Sequence, residues 1–75
     1  MKEAYKSSYE KFGLNVVYYR KRQRLSQMQL AELCSLDRTH ISSIETGRVG
    51  VSLDTVFTLS EALHITPDKL FEFRD

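Results

Sequence analysis

Apolar residues recur at three- and four-residue steps along almost the whole chain, and this spacing predicts helices and no strands. The first predicted helix covers about residues 8–24. Its inward face carries Phe12, Val16 and one tyrosine of the pair 18–19. Gly13, inside this helix, costs roughly 1 kcal/mol against alanine, so we expect it to let another helix approach closely.

The segment 26–47 predicts two short helices joined by a tight turn. In the first of them, Ser26 can act as the N-cap while Gln29 reaches back to the backbone N–H of the cap, which is a capping box. Leu30 and Leu33 fall on one face of this helix, and we expect that face to be buried.

In the second helix of this segment, Asp37 is the expected N-cap, and Ile41 and Ile44 form the inward stripe. Gly47 stands where a left-handed residue ends many helices. We expect either that Ser35, in the turn, adopts the same conformation at some cost or that the turn differs slightly in shape. Two helices crossing at such a turn form a helix-turn-helix unit, whose second helix lies in the major groove of DNA.

The last third of the chain predicts two more helices. The helix over about residues 53–63 has an apolar stripe formed by Leu53, Val56, Leu59 and Leu63. Thr66 is the expected cap of a fifth helix, and Pro67 takes its first position. Leu70 and Phe71 are expected to close the core.

The 75 residues have a formal net charge of only +1, but the charge is polarised along the chain. Residues 20–48 carry six basic and three acidic side chains, a net +3, whereas residues 49–75 carry two basic and five acidic ones, a net −3. The basic part coincides with the helix-turn-helix segment, which indicates a nucleic-acid face. The acidic part should face away from phosphates, and it is a candidate surface for contact with RNA polymerase.

The composition argues against several other classes of protein. A single cysteine, Cys34, expected at a buried helix end, and two distant histidines offer no disulfide and no metal site. No nucleophile–base pair, carboxylate pair or phosphate-binding glycine loop supports catalysis, and no apolar run could cross a membrane. We therefore expect one cytoplasmic domain over residues 1–75, with residues 1–8 as an N-terminal extension. We expect no enzymatic activity, cofactor, metal or small-molecule ligand.

From about Phe12 to Phe71 the sequence resembles the lambda-repressor/Cro-like helix-turn-helix family of the XRE type. The matching pieces, in family order and spacing, are Phe12-Gly13, Val16, Arg20, Leu25-Ser26-Gln27, Leu30-Ala31, Ile41-Ser42, Ile44-Glu45, Gly47, Ser52-Leu53 and Leu70-Phe71. The resemblance implies an all-α, compact five-helix DNA-binding domain with the helix-turn-helix at helices 2 and 3. The segment from Leu36 to Glu45 is also similar to controller proteins of restriction–modification systems.

The outward face of the predicted recognition helix, over about residues 38–46, is small and polar with one arginine near its start. The guanidinium of Arg38 can donate two parallel hydrogen bonds to guanine O6 and N7, a contact worth about 1–3 kcal/mol of discrimination. The alternative is a surface arginine paired with Asp37 or Glu45. The resemblance implies that the base-contacting residues are Arg38, Thr39 and Ser43.

Candidate contacts to DNA phosphates surround this face. Gln27 would occupy the first turn of helix 2, where free N–H groups favour an anion, and the resemblance implies a phosphate clamp at this glutamine. A solvated basic face is the alternative for the arginines at the end of helix 1, and coverage of the adjacent backbone is the alternative for His40. The expected phosphate contacts are Gln27, His40, Thr46, Arg48, Arg22 and Arg24.

The resemblance also implies a structural ion pair. In the family, an arginine late in helix 1 bridges to a glutamate late in helix 3, and Arg20 and Glu45 occupy these positions. Such a pair would fix the recognition helix against helix 1.

The chain has more aromatic residues than so small a core can obviously hold, among them Tyr5, Tyr9, Tyr18, Phe57 and Phe73. Exposed aromatic residues gathered on one surface suggest an interface. We therefore expect a homodimer through helices 4 and 5, with Phe57 and Phe73 in the interface. The alternative is that some of these residues pack beneath the N-terminal extension.

Together these features predict a sequence-specific transcriptional regulator, a repressor or a controller protein, that binds a two-fold symmetric operator in double-stranded DNA as a homodimer. The alternative is a protein-interaction module, such as an antitoxin-like partner, because the same fold can serve to hold another protein.

Overall fold

The computed structural model describes residues 1–73, which form four α-helices and two short 3₁₀ helices, with no strand among them. The α-helices are α1 (Lys6–Arg22), α2 (Gln27–Cys34), α3 (Arg38–Glu45) and α4 (Leu53–Leu63). The 3₁₀ helices are Glu3–Tyr5 and Pro67–Phe71. The predicted all-helical class is confirmed.

The predicted fifth helix is a 3₁₀ helix and not an α-helix. It spans Pro67–Phe71, with Thr66 at the N-cap position, but the Thr66 side chain accepts no cap hydrogen bond. Five residues make little more than one α-helical turn, so hardly any i→i−4 hydrogen bonds could form. The tighter i→i−3 pattern satisfies such a short segment better.

Each of the four α-helices is followed by a residue in the left-handed conformation: Arg24 (φ 58°), Ser35 (φ 56°), Gly47 (φ 71°) and His64 (φ 58°). Only one of the four is a glycine, so three ordinary residues carry the strain of this conformation. In those three cases the next residue is apolar, half-buried and packed against the core: Leu25, Leu36 and Ile65. Its backbone N–H also donates to a carbonyl of the last helical turn, and both contacts offset the strain.

The first helix begins and ends two residues earlier than the sequence pattern indicated. It was expected over about residues 8–24, but it spans Lys6–Arg22. The end differs because Arg24 takes the left-handed conformation, which breaks the right-handed helix, and no glycine at this position indicates that in advance. The start differs because a 3₁₀ helix at residues 3–5 leads directly into α1.

The helix starts differ in how their side chains cap the backbone. The capping box is confirmed: Ser26 Oγ accepts from the Gln29 N–H at 3.0 Å, and Gln29 Oε1 accepts from the Ser26 N–H at 2.8 Å. Ser52 Oγ likewise accepts from the Thr55 N–H at 3.2 Å. Asp37 holds the N-cap position of α3, but its side chain makes no cap hydrogen bond.

The core is a single cluster of buried apolar side chains from all four α-helices and the C-terminal 3₁₀ helix. Its members are Phe12, Val16, Leu30, Ala31, Cys34, Ile41, Ile44, Val56, Leu59, Leu63 and Leu70. Of the two tyrosines left open by the pattern, Tyr19 packs against this cluster and Tyr18 is exposed. Cys34 is buried at the end of α2, as expected.

Three apolar residues that were expected in the core are exposed instead: Leu33 by 59%, Leu53 by 67% and Phe71 by 50%. Helix α2 turns Leu30, Ala31 and Cys34 inward, and at 100° per residue this arc leaves Leu33 outside it. Leu53 is the first residue of α4 and lies beside the buried stripe, while Phe71 is the last residue of its 3₁₀ helix.

Helix α1 crosses the end of α3 at backbone contact. A Cβ atom at Gly13 would collide with the carbonyl oxygens of Ile44 and Glu45. A Cβ atom at Gly47 would lie 2.7 Å from the Cα of Glu10. The close approach expected at Gly13 is therefore confirmed, and the two glycines let α3 lie directly on α1.

Candidate nucleic-acid interface

Helix α3 has one apolar face and one polar face. Ile41 and Ile44 are buried against the rest of the domain. The opposite face consists of the exposed Arg38, Thr39, His40 and Thr46 and the half-buried Ser42 and Ser43. All three base-contacting candidates, Arg38, Thr39 and Ser43, therefore lie on α3 outside the core, where a ligand could reach them.

A buried carboxylate at the end of α3 holds this helix to its neighbours. Arg20 Nε donates to Glu45 Oε2 at 2.6 Å, and Arg20 Nη2 donates to Glu45 Oε1 at 3.3 Å. Gln27 Nε2, from the first position of α2, also donates to Glu45 Oε1 at 2.8 Å. Arg20 Nη1 donates to the Leu25 carbonyl at 2.8 Å. The side chain of Glu45 is only 3% exposed and that of Arg20 11%, so the two charges compensate each other out of water.

The network continues outward from Gln27 to Arg38. Arg38 Nη1 donates to Gln27 Oε1 at 3.1 Å, so the partner of Arg38 within residues 1–73 is this amide and not the carboxylate of Asp37 or Glu45. Gln27 thus links the buried Glu45 to an exposed base-contacting candidate. Sequence reasoning missed this link, because eleven residues separate the two side chains and no helical period relates them.

The remaining phosphate candidates differ in what they already contact. Thr46 Oγ1 donates to the Ser42 carbonyl at 2.8 Å, so its hydroxyl proton is used within α3. The guanidinium carbon of Arg22 lies 5.7 Å from the centroid of the Tyr18 ring, a cation–π distance. Three further candidates, His40, Arg24 and Arg48, are exposed.

A second surface is apolar, and we define it by four exposed residues: Leu53, Phe57, Phe71 and Phe73. Leu53 and Phe57 are one turn apart on α4, while Leu53, Phe71 and Phe73 line a common groove of about 330 Å³. Tyr5 and Tyr9 line the same groove from the N-terminal side. Phe57 is 54% and Phe73 38% exposed, so both dimer-interface candidates are available for contact.

A buried asparagine connects α1 to this apolar surface, and sequence reasoning missed it. Asn15 is 7% exposed, and its Nδ2 donates to the carbonyls of Leu70 at 3.0 Å and Glu72 at 3.2 Å. In the sequence, Asn15 is indicated only by its position directly before Val16, which belongs to the inward face of α1. A polar residue beside that face can be buried if it finds hydrogen-bond partners.

Other kinds of site find little support in the described part of the chain. No group of histidine, cysteine and acidic side chains within residues 1–73 could hold a metal ion. Over the same residues, no helix combines the length and the apolar character needed to span a membrane. Burial raises the pKa of the Cys34 thiol, which disfavours its thiolate.

The fold and the polar face of α3 agree with a match to a protein-family model. The helix-turn-helix family HTH_3 matches residues 17–70, and the chain belongs to this family. Its members are DNA-binding regulators and not enzymes. The chain is accordingly a DNA-binding transcription regulator whose ligand is double-stranded DNA.

Individual relatives are control proteins. The chain is 43% identical over 63 residues to control protein C.BamHI of Bacillus amyloliquefaciens, covering 83% of this chain and 78% of the relative. It is 45% identical over 56 residues to control protein C.SmaI of Serratia marcescens, covering 75% and 67%. The solved structure of the restriction-modification controller protein C.AhdI from Aeromonas hydrophila superimposes with a TM-score of 0.84 at 38% identity, covering 87% of this chain and 98% of C.AhdI. The similarity to controller proteins expected from the sequence is confirmed.

Proposed function

We propose that this chain binds a two-fold symmetric operator as a homodimer, with α2 and α3 as the helix-turn-helix and α3 in the major groove. The observation that carries the proposal is the polar face of α3, which begins at Arg38. The buried ion pair of Glu45 with Arg20 holds this helix on α1. A helix of eight residues is unstable by itself. Both the formation and the orientation of α3 therefore depend on its contacts with α1 and α2.

In this proposal, Arg38, Thr39 and Ser43 contact base edges. Arg38, at the first position of α3, pairs with guanine O6 and N7, while the Thr39 methyl contacts thymine and the Ser43 hydroxyl accepts or donates to several base edges. The hydrogen bond from Arg38 to Gln27 supports this role. It restricts a flexible side chain before DNA arrives, which lowers the entropy lost on binding.

Phosphate contacts would position α3 in the groove without selecting sequence. Thr46 would have to exchange its hydrogen bond to the Ser42 carbonyl for one to a phosphate oxygen. Each contact is expected to steepen the fall of log affinity with log salt concentration by about one unit. The proposed set is Gln27, His40, Thr46, Arg48, Arg22 and Arg24.

The homodimer would form through the apolar surface, with Phe57 and Phe73 at its centre. Their exposure and the neighbouring apolar groove support this arrangement. Two-fold symmetry would place the two α3 helices about 34 Å apart, one turn of DNA, and so match a symmetric operator.

We further propose that the chain regulates its own operon within a restriction–modification system and can activate as well as repress. The names of C.BamHI, C.SmaI and C.AhdI as control or controller proteins support the regulatory setting. The net −3 of residues 49–75 supports an activating contact of this acidic part with RNA polymerase.

The proposal is tested by selecting binding sites from random duplex DNA. The wild-type chain should enrich a two-fold symmetric site, and Arg38→Ala should relax the preference at one base pair of each half-site. Lys69→Ala is the matched control, because it removes an exposed positive charge from the acidic third of the chain and should leave the selected site unchanged.

Two other outcomes would contradict the proposal. Equal loss of affinity on all sequences in Arg38→Ala would identify a phosphate contact and not a base contact. No enrichment at all, or uniform salt-sensitive binding, would favour a protein-interaction module that uses the same fold.

A further inference from the structure

We infer that Asn15 is a positioning residue for self-association, which holds the C-terminal segment on α1 so that Phe71 and Phe73 form part of the apolar surface. The inference rests on the homodimer of the proposed function. It concerns a buried residue of α1 that is not itself one of the four residues that define the apolar surface.

The first support is the pair of hydrogen bonds made by Asn15. Both protons of its side-chain amide are used, one to the Leu70 carbonyl at 3.0 Å and one to the Glu72 carbonyl at 3.2 Å. These two carbonyls bracket Phe71, and Phe73 is the next residue after them. Asn15 therefore fixes the backbone from which both aromatic side chains project.

The second support is the exposure of the segment that follows Leu70. Leu70 is fully buried and anchors its start, whereas Phe71 is 50% exposed. The Phe71 ring lies beside the Phe12 ring, with centroids 5.3 Å apart, and beside the Phe73 ring, 6.4 Å apart. The ion pair of Lys69 with Glu72, at 3.5 Å, joins exposed groups, and such pairs contribute little. The bonds from Asn15 are directional contacts that join the backbone of this exposed segment to α1.

The third support is the place of Asn15 in α1. Two positions earlier, Gly13 lets the backbone of α1 touch the end of α3. One helix thus carries the recognition helix and, through Asn15, the surface for self-association. Loosening the C-terminal segment should weaken the dimer and leave the contact of α1 with α3 intact.

The test compares Asn15→Ala and Asn15→Leu with Ser60→Ala. Ser60 is a suitable control because it is also buried, but its Oγ donates to the Val56 carbonyl at 2.8 Å within α4. Sedimentation velocity measures the dimer dissociation constant, fluorescence anisotropy measures affinity for a single half-site duplex, and hydrogen exchange follows the amides of residues 71–73.

Losing two hydrogen bonds should raise the dimer dissociation constant by about tenfold or more in both Asn15 variants. Hydrogen exchange at residues 71–73 should become faster in these variants. Affinity for the half-site should stay within about twofold of wild type, because the contacts that hold α3 on α1 do not involve the Asn15 side chain. Ser60→Ala should match wild type in all three measurements.

A double-mutant cycle remains informative even if the buried substitutions lower the free energy of unfolding, because it measures the coupling between Asn15 and Phe73. Phe73→Ala changes a partly exposed residue, and it should weaken the dimer much less in the Asn15→Ala background than in wild type. Strictly additive effects would overturn the inference.

The remaining outcomes separate the inference from the proposed function. A wild-type chain that stays monomeric at all concentrations would overturn both. A dimeric wild type whose Asn15 variants dimerise equally well would overturn the inference alone. Parallel loss of dimer and half-site binding would show general destabilisation, which also contradicts a positioning role.

Discussion

The polar face of α3 and the apolar surface are held in place by different kinds of contact. Helix α3 is fixed by a buried ion pair from α1, an amide from α2 and a backbone contact at Gly13. The C-terminal part of the apolar surface is held by two hydrogen bonds from Asn15 and by tilted ring contacts. Charge-assisted hydrogen bonds thus support the surface proposed to select bases. Neutral hydrogen bonds and apolar ring contacts support the surface proposed for self-association.

This difference implies that the two surfaces should respond separately to mutation. Substitutions in the network around Glu45 should change the stability and DNA contacts of a single chain, while substitutions on the apolar surface should change assembly alone. A variant that disturbed both surfaces equally would contradict this separation.

The largest effect is expected from Arg20→Ala. It leaves the carboxylate of Glu45, 3% exposed, with Gln27 as its remaining side-chain donor. The free energy of unfolding should fall by about 3–5 kcal/mol, as when one partner of a buried pair is removed. Chemical denaturation measures this loss, and Lys21→Ala, at an exposed helical position, is the control, with an effect within about 0.5 kcal/mol. An unchanged Arg20→Ala protein would contradict the structural role and leave Arg20 available to DNA.

The next effect is expected from Phe57→Ala on the apolar surface. Truncating an aromatic residue at the centre of an interface costs about 2 kcal/mol, or roughly a 30-fold higher dimer dissociation constant. Sedimentation across a concentration series measures it. Leu33→Ala serves as control, since Leu33 on α2 is exposed by 59% and Phe57 by 54%. If both substitutions weaken the dimer alike, the interface does not lie on the apolar surface as defined above.

A smaller effect should distinguish the two helix starts within the proposed helix-turn-helix. Ser26→Ala breaks an observed capping box and should lower the free energy of unfolding by about 1 kcal/mol. Asp37→Ala removes a side chain that makes no cap hydrogen bond, so its effect should be less than half as large. Thermal unfolding of the two variants side by side measures the difference, and equal losses would show that Asp37 caps α3 in solution.

The smallest effect is a pH dependence from Cys34. Burial raises the pKa of its thiol in the folded chain, so the folded state retains the proton at a pH where the unfolded state has lost it. The contribution of the buried, protonated Cys34 to the free energy of unfolding is fully present below the pKa of the unfolded thiol, about 8.5. It should decline as the pH rises from there through the folded pKa. Denaturation between pH 7 and 10 should show this decline in wild type and a weaker one in Cys34→Ala; identical curves would contradict it.

Local pattern was sufficient for most of the fold. The α-helices, the capping box at Ser26 and the left-handed Gly47 follow from residues close together in sequence. For the turn at Ser35, the sequence left two alternatives open, and the structure shows the left-handed one. The left-handed Arg24 and His64 were not predicted, because neither position carries the glycine that usually marks this conformation at a helix end. In both cases the apolar residue that follows packs on the core, and that contact exists only in the folded chain.

The candidate interface was predictable to a lesser extent. The family resemblance named Arg20 and Glu45, and the structure places their side chains in contact. The link from Gln27 to Arg38 and the anchor at Asn15 were not predicted. Each of these two contacts joins side chains or backbone from different helices. The distance between them depends on the angle at which the helices cross, and the periodicity within one helix does not indicate that angle.

The sequence by itself determined the all-helical class, the membership in the helix-turn-helix family and the polar character of the α3 face that begins at Arg38. Helical periodicity, helix caps and charge depend on residues only a few positions apart, so they can be recognised without the folded structure. The tertiary structure alone decided that Leu33, Leu53 and Phe71 are exposed and that Asn15 reaches the C-terminal segment. The packing of the helices against one another decides which apolar side chains of each helix are buried. Hydrogen bonds between residues 55 or 57 positions apart form only once the helices are packed.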